Sequence, residues 1–403
     1  MPSLRPFHGI RYSSAAVLAD LVCPPYDIIS AETQAVLGRH PNNAVHLELP
    51  PDLPEGSEGY AQGAATFRSW MEEGVLQPDD EACLYVYRQD FVGPQGERRR
   101  VAGVLGALGL EPWGRSSGIL PHERTMPGPV ADRLSLLRAC PVNISPIYAI
   151  YQGAGALAPY FDTLENRPPA ANFVDDEGTR QRLWVIRAPA EIEMLSAALS
   201  NGPLIVADGH HRYETALAYH EEQKGAPGGH DAIMCFCVDI DGEEVLVLPY
   251  HRAISAPLTA PVLKQRLEDA WGATQLDDDD VPATLLASRA GHLFVFVLSE
   301  DNLLIEIAPQ ADHAVLDIDV LHDDILPKVF MEGIDGLRFL KDPSQLIEAV
   351  RTGGWEAGVL LKPVLASQVA ATALAGERMP QKATYFWPKV PTGLVFRSLD
   401  LQH

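Results

Sequence analysis

The chain has only five cysteines, Cys23, Cys83, Cys140, Cys235 and Cys237, and no CxxC pair among them. An odd number at these spacings suggests no disulfide framework and a reducing compartment. Cys235 and Cys237 alternate along residues 233–238, so they share one face of an expected strand. Without a second cysteine pair they read as small buried side chains rather than zinc ligands. Basic residues are also scarce: 31 Lys and Arg stand against 54 Asp and Glu, a net charge of −23. A surface of that sign repels a polyphosphate backbone. Nucleic acid is therefore not an expected partner, and any phosphate bound should be small and held by a local pocket. No apolar run reaches the roughly 18 residues of a membrane span, and Met1-Pro2-Ser3-Leu4-Arg5-Pro6 lacks an apolar leader segment. A cytoplasmic protein without a membrane partner is expected. Fixed-period repeats and low-complexity tracts are missing too.

What is present is an ordinary globular composition, 46% hydrophobic and 21% charged, in a chain of 403 residues. That length exceeds what one core usually serves, so two or three subdomains are expected. The expected parts are 1–151, 172–256 and 257–403, with the tail packing back; the Gly/Pro/Ala-rich stretch 152–172 is a linker or long surface connection. Helical periodicity marks 58–74, where Tyr60, Ala64, Phe67 and Met71 form one stripe and Gly74 stops it. Helices are also expected at 130–139, 190–200 and 260–270. Strand-like runs at 82–90 and 99–110 flank Gly93-Pro94-Gln95-Gly96, a hairpin connection. Further strands are expected at 144–151 and 182–187, and hairpins at 233–240/244–250 around Asp241-Gly242 and at 293–298/303–307. Helices mixed with hairpins favour an α+β fold with mixed and antiparallel sheets.

The chemical centre is expected at Val206-Ala207-Asp208-Gly209-His210-His211-Arg212-Tyr213-Glu214. The apolar run Leu204–Ala207 predicts a strand, Asp208-Gly209 a tight turn, and the spacing of Tyr213, Ala216, Leu217 and His220 a helix that Gly225 follows. A strand, a glycine turn and a helix start together make an anion-binding geometry, since first-turn N–H groups lack intrahelical acceptors and the dipole favours negative charge. His210, His211 and Arg212 add side-chain donors, and Asp208 is placed to hold a metal ion or fix an imidazole tautomer. Adjacent histidines diverge on a helix, so phosphate binding is favoured over a catalytic metal. An Arg212→Ala chain is expected to keep its fold, because an arginine in the first turn contributes little to the helix.

Other polar clusters are secondary candidates. His122-Glu123-Arg124-Thr125, with Asp132-Arg133 after it, offers an acid/base carboxylate and a guanidinium. Pro24-Pro25-Tyr26-Asp27 presents a carboxylate on a rigid corner. Lys382 and Lys389 flank Tyr385-Phe386-Trp387 and either clamp a ligand or cap a core-packing tail.

Together, Pro24–Asp27, Pro121–Thr125, Asp132-Arg133, Ala207–Ala216 and Met379–Thr384 resemble domain of unknown function 1015, a bacterial and archaeal family, from Pro6 to about Leu401. More distantly, the Asp208–Arg212 turn resembles the phosphate-binding box of the ParB/sulfiredoxin-like superfamily, which includes free-serine kinases. That resemblance implies a nucleotide-binding unit of that type, with Gly209, His210, His211 and Arg212 on the phosphates and Asp208 near magnesium or the acceptor hydroxyl. Glu123 and Asp27 are then the candidate catalytic carboxylates, and His122, Arg133 and Lys382 candidate substrate contacts. The leading expectation is an ATP- or ADP-dependent phosphotransferase, with magnesium, acting on a small hydroxylated metabolite, serine among the candidates. The rivals are a metal-dependent hydrolase or lyase using Asp208, His210 and His122/Glu123, and a non-catalytic nucleotide-binding regulator.

Overall fold

A computed structural model describes the chain apart from residues 15–16, 50–57, 115–116, 287–290, 309–314, 381 and 401–403. Gln381 of the tail motif thus lies outside the described residues. The chain forms two compact units: Met1–Val245 with Ala373–Gly376 and Pro388–His403, and Leu246–Thr372 with Glu377–Trp387. The architecture is α+β, with sheets that are mixed or antiparallel.

In the first unit, nine strands form one sheet among the described residues: β1 (Leu4–Arg5), β2 (Leu84–Val92), β3 (Arg98–Gly109), β4 (Ile119–Pro121), β5 (Ile147–Tyr151), β6 (Ala171–Val174), β7 (Arg180–Ile186), β8 (Leu204–Asp208) and β9 (Ala232–Asp239). Their spatial order is β4-β8-β5-β9-β3-β2-β7-β6, with β1 also on β3. β2 and β3 pair antiparallel around the Gly93–Gly96 connection, whereas β4 runs parallel to β8 and β5 parallel to β9. The expected parts 1–151 and 172–256 therefore contribute strands to the same sheet. The stretch 152–172 is no linker: it holds a helix (Ala158–Thr163), a 3-10 turn (Leu164–Asn166) and the start of β6.

Leu204, Ile205, Val206 and Ala207 are all buried, as a strand with neighbours on both sides requires. Leu204 and Val206 join Leu84, Val86, Val104 and Tyr213 in the main core. Helix α1 (Pro127–Ala139) packs on helix α2 (His210–Glu222). A smaller sheet of Gly9–Tyr12, Leu76–Pro78, Val142–Asn143 and Phe396–Ser398 ties the C-terminal tail to this unit. All five cysteines are free and buried, with Cys235 and Cys237 sulfurs 3.5 Å apart within β9.

The second unit is a six-stranded antiparallel sheet among the described residues. His292–Val297 and Asn302–Ile307 form the expected hairpin, and Ala260–Trp271 the expected helix. The Asp241-Gly242 hairpin does not form. β9 pairs with β3 and β5, while Leu246–Leu248 pairs with Tyr385–Trp387. A local turn signal yields here to tertiary pairing on both sides of it. No helix among the described residues is long and apolar enough to cross a membrane.

Candidate functional site

The site begins where β8 ends. The register of β8 against β5 shifts between Val206 and Asp208, so Asp208 lies across from Tyr148; such irregularities re-aim side chains beside functional sites. Gly209 then takes φ 90°, ψ 28° and caps α2 without a side chain. Glycine adopts that conformation at no steric cost. A Cβ there would stand 2.8 Å from Ile147 Cγ2 and 3.1 Å from Arg212 Nε, so even alanine would crowd the turn.

Parallel pairing of β4 with β8 brings the loop after β4 to the same sheet end as this turn. Three contacts then fasten that loop along α2. The His122 N–H donates to His210 Nε2 at 3.3 Å, Thr125 Oγ1 to Glu214 Oε2 at 2.7 Å, and the Met126 N–H to His211 Nε2 at 3.0 Å. Glu123, inside that span, is partly buried. His122 Nδ1 donates to the Val206 carbonyl at 2.7 Å. Its ring stands 4.7 Å from that of His210, edge to face. Burial drives His122 down to about 4, so it is neutral at pH 7; the Val206 carbonyl and Asp208 oppose that shift only in part.

Asp208 is the hub of the charges. One carboxylate oxygen accepts from Arg212 Nη2 at 2.8 Å and the other from Lys389 Nζ. Burial raises its carboxyl, but Lys389 and Arg212 outweigh that and hold it well below the ordinary range. Arg212 Nη1 also donates to Ser145 Oγ at 3.0 Å and to the Pro146 carbonyl at 2.6 Å. Arg212 is therefore an internal tie between α2, β8 and the segment before β5, with its side chain only 11% exposed. The expectation that an arginine in the first turn contributes little is corrected: removing Arg212 leaves buried acceptors and Asp208 underpaired. An Arg212→Ala chain should melt lower than the parent without any ligand.

Arg133 reaches the site from α1. Its Nη1 donates to the Glu48 carbonyl at 3.1 Å, its Nε to Asp132 Oδ2 at 2.7 Å, and its guanidinium lies 4.3 Å over the Tyr26 ring. Burial pushes the Tyr26 phenol up to about 12. Asp27 is exposed beside it and acts on Arg212 and Glu48 through its charge. So the structure brings His122 onto His210 at the turn and Asp27 and Arg133 near Arg212, while Glu123 lies in the loop that is fastened to α2 on both sides of it. Lys382 belongs to the second unit, where its Nζ lies 5.2 Å over the Tyr250 ring. Lys389 was singled out in the sequence as a ligand clamp or a tail cap, not as a partner of Asp208, and Glu48 and Ser145 carried no signal at all. Both oxygens of Asp208, the expected metal residue, are taken up by cations. Among the described residues no three His, Cys, Asp or Glu side chains cluster to hold a metal.

A second carboxyl titrates nearby. Glu243 is half-buried, accepts from the Ala102 N–H at 2.7 Å, and is pushed by burial from 4.5 to about 7. The folded state thus holds this proton more tightly than the unfolded state. Its contribution is complete below pH 4.5 and is lost as pH rises through 7. Urea titrations should show stability falling across that window by roughly 1–3 kcal/mol, and Glu243→Gln should flatten that fall. An unchanged slope in the variant would remove Glu243 as its source.

The sequence profile described as protein of unknown function (DUF1015) matches residues 4–321, and the chain belongs to that family. No match was found among curated proteins. Solved structures similar to it include SbnI with C-terminal truncation from Staphylococcus aureus, at 10% identity and a TM-score of 0.41, covering 72% of this chain and 85% of that one. A free serine kinase in complex with AMP is similar at 15% identity and a TM-score of 0.38, covering 70% and 89%. A conserved hypothetical protein from Pyrococcus furiosus is similar at 14% identity and a TM-score of 0.36, covering 70% and 92%.

Proposed function

We propose that the first unit is a small-molecule phosphotransferase that takes ATP or ADP and phosphorylates a hydroxylated metabolite, free serine among the candidates. One observation carries this reading: a protein of net charge −23 gathers Arg212, Lys389 and Arg133 around a glycine-capped helix start. Asp208 balances only one of the two cations it binds, so the turn keeps a net positive charge that suits a small polyanion, and the first-turn amides with the helix dipole add to it. The resemblance of Asp208–Arg212 to a phosphate-binding box supports the same assignment.

In this scheme Gly209, His210 and His211 present backbone and imidazole donors to the phosphates. Asp208 holds Arg212 and Lys389 in place as their shared counter-ion. Glu123 takes the proton from the acceptor hydroxyl as the oxygen attacks the terminal phosphorus and the bridging P–O bond to the nucleotide breaks. Asp27, on the exposed side, is the alternative base. Magnesium would ride on the phosphate oxygens, as it usually does with nucleotides.

The direct test is thermal. ATP or ADP at about a hundred times its Kd should stabilise the fold by about 2.7 kcal/mol, more strongly with magnesium, and CTP should do less. No shift with any of the three, with or without magnesium, would remove the nucleotide from the reading.

A further inference from the structure

Beside the turn lies a cavity of about 50 Å³ whose walls include Glu48, Arg133, Ser145 and Arg212 at one end and Leu136 and Ile233 at the other. That volume admits only a few non-hydrogen atoms, since one water needs roughly 10–15 Å³ by the same measure. Glu48 is 2% exposed. Its carboxylate receives only a long contact from Ser145 Oγ, at 3.4 Å, and the backbone N–H of Tyr26. The two guanidiniums nearby are engaged elsewhere: Arg212 with Asp208, and Arg133 with Asp132 and the Glu48 carbonyl. A buried carboxyl on a cavity wall with no ion pair among the described residues is costly unless something completes it.

We propose that this cavity is a subsite for the ammonium group of the acceptor molecule, with Glu48 as its counter-ion. Inside the cavity an anion is disfavoured because the two arginines are engaged with Asp208 and Asp132, while among the described residues Glu48 forms no ion pair of its own and feels those guanidiniums only through their charge. The acceptor class is then a small primary amine with a hydroxyl a few bonds away: an amino alcohol or a hydroxy-amino acid. The apolar end accepts its short aliphatic part. Burial raises the Glu48 carboxyl above its ordinary range, against the pull of Arg133 and Arg212. An ammonium beside it favours the ionised carboxylate.

This inference extends the phosphotransfer reading, and its test separates the two. Calorimetry on the full chain would compare ethanolamine, L-serine and glycerate; glycerate keeps the carboxylate and hydroxyl of serine but replaces the amine. Ethanolamine and serine should bind and glycerate should not. Glu48→Gln, nearly isosteric with the protonated carboxyl, should fold at least as stably as the parent and weaken amine binding by about ten- to a hundred-fold. Glycerate binding as well as serine, or Glu48→Gln binding the amines unchanged, would overturn the subsite. Nucleotide stabilisation without any amine binding would also overturn it, and would leave the phosphotransfer reading standing. Amine binding without nucleotide stabilisation would uphold the subsite and remove the nucleotide.

Discussion

Asp208→Asn is expected to lower unfolding stability by about 3–5 kcal/mol, the cost of leaving a buried charge without its partner. Here one carboxylate serves two buried cations. Arg212 and Lys389 each bind a different oxygen of Asp208, and their side chains are 11% and 9% exposed. Asparagine preserves the shape but removes the charge, so both cations keep their desolvation cost and lose their compensation. The double substitution Asp208→Asn with Lys389→Met should recover part of the loss, because it deletes one stranded cation. Contacting residues couple by about 0.5–3 kcal/mol in such cycles. The pH dependence follows the same logic. The folded carboxyl sits below the ordinary value of 3.8, so its contribution is complete above that value and is lost as pH falls through the folded value. Urea unfolding at neutral pH checks the first claim, with an unchanged m-value showing that the unfolded state is not the cause. A loss under about 1 kcal/mol would mean that the charges relax into water and that Asp208 is no hub.

Glu123→Gln should lower the phosphotransfer rate by about 10²–10⁴-fold, the usual contribution of a positioned general base. The loop that carries Glu123 is fastened to α2 on both sides of it, by His122 before and by Thr125 and Met126 after. A carboxylate on so constrained a span keeps its place relative to the helix start. Glutamine keeps the hydrogen-bonding shape and cannot take a proton, so the nucleotide-induced rise in melting temperature should persist while turnover falls. Asp27→Asn offers the contrast, because Asp27 is exposed on a proline corner and acts on Arg212 through charge alone. Its loss should alter rate by no more than about tenfold. Single-turnover assays of both variants, with melting curves beside them, decide between the two carboxylates. A larger loss with Asp27→Asn would transfer the base to Asp27.

The strand-turn-helix of the site was legible from sequence because its causes are local. Four consecutive apolar residues, one glycine and a 3.6-residue stripe report strand, turn and helix without reference to anything distant. The β2–β3 hairpin and the helix at 260–271 were legible on the same grounds. The Asp241-Gly242 signal had the same local strength and failed, because the strands on either side of it found partners far away in sequence.

Family membership and the strand-turn-helix of the site thus followed from the residues alone. Tertiary structure decided what those residues do. Arg212 looked like a solvent-facing ligand on a helix start, yet it is drawn inward by Ser145 and Pro146, 67 and 66 positions earlier. Lys389 meets Asp208 across 181 positions, and nothing in a lysine near the tail reports that. Glu48 sits on a short helix with no distinguishing pattern, and its interest comes only from being enclosed beside Arg133 and Arg212. Local propensity is written in neighbouring residues. The protonation state of a carboxylate, and the partner of a cation, depend on which distant side chains the fold brings within a few ångströms and on how much water it leaves between them.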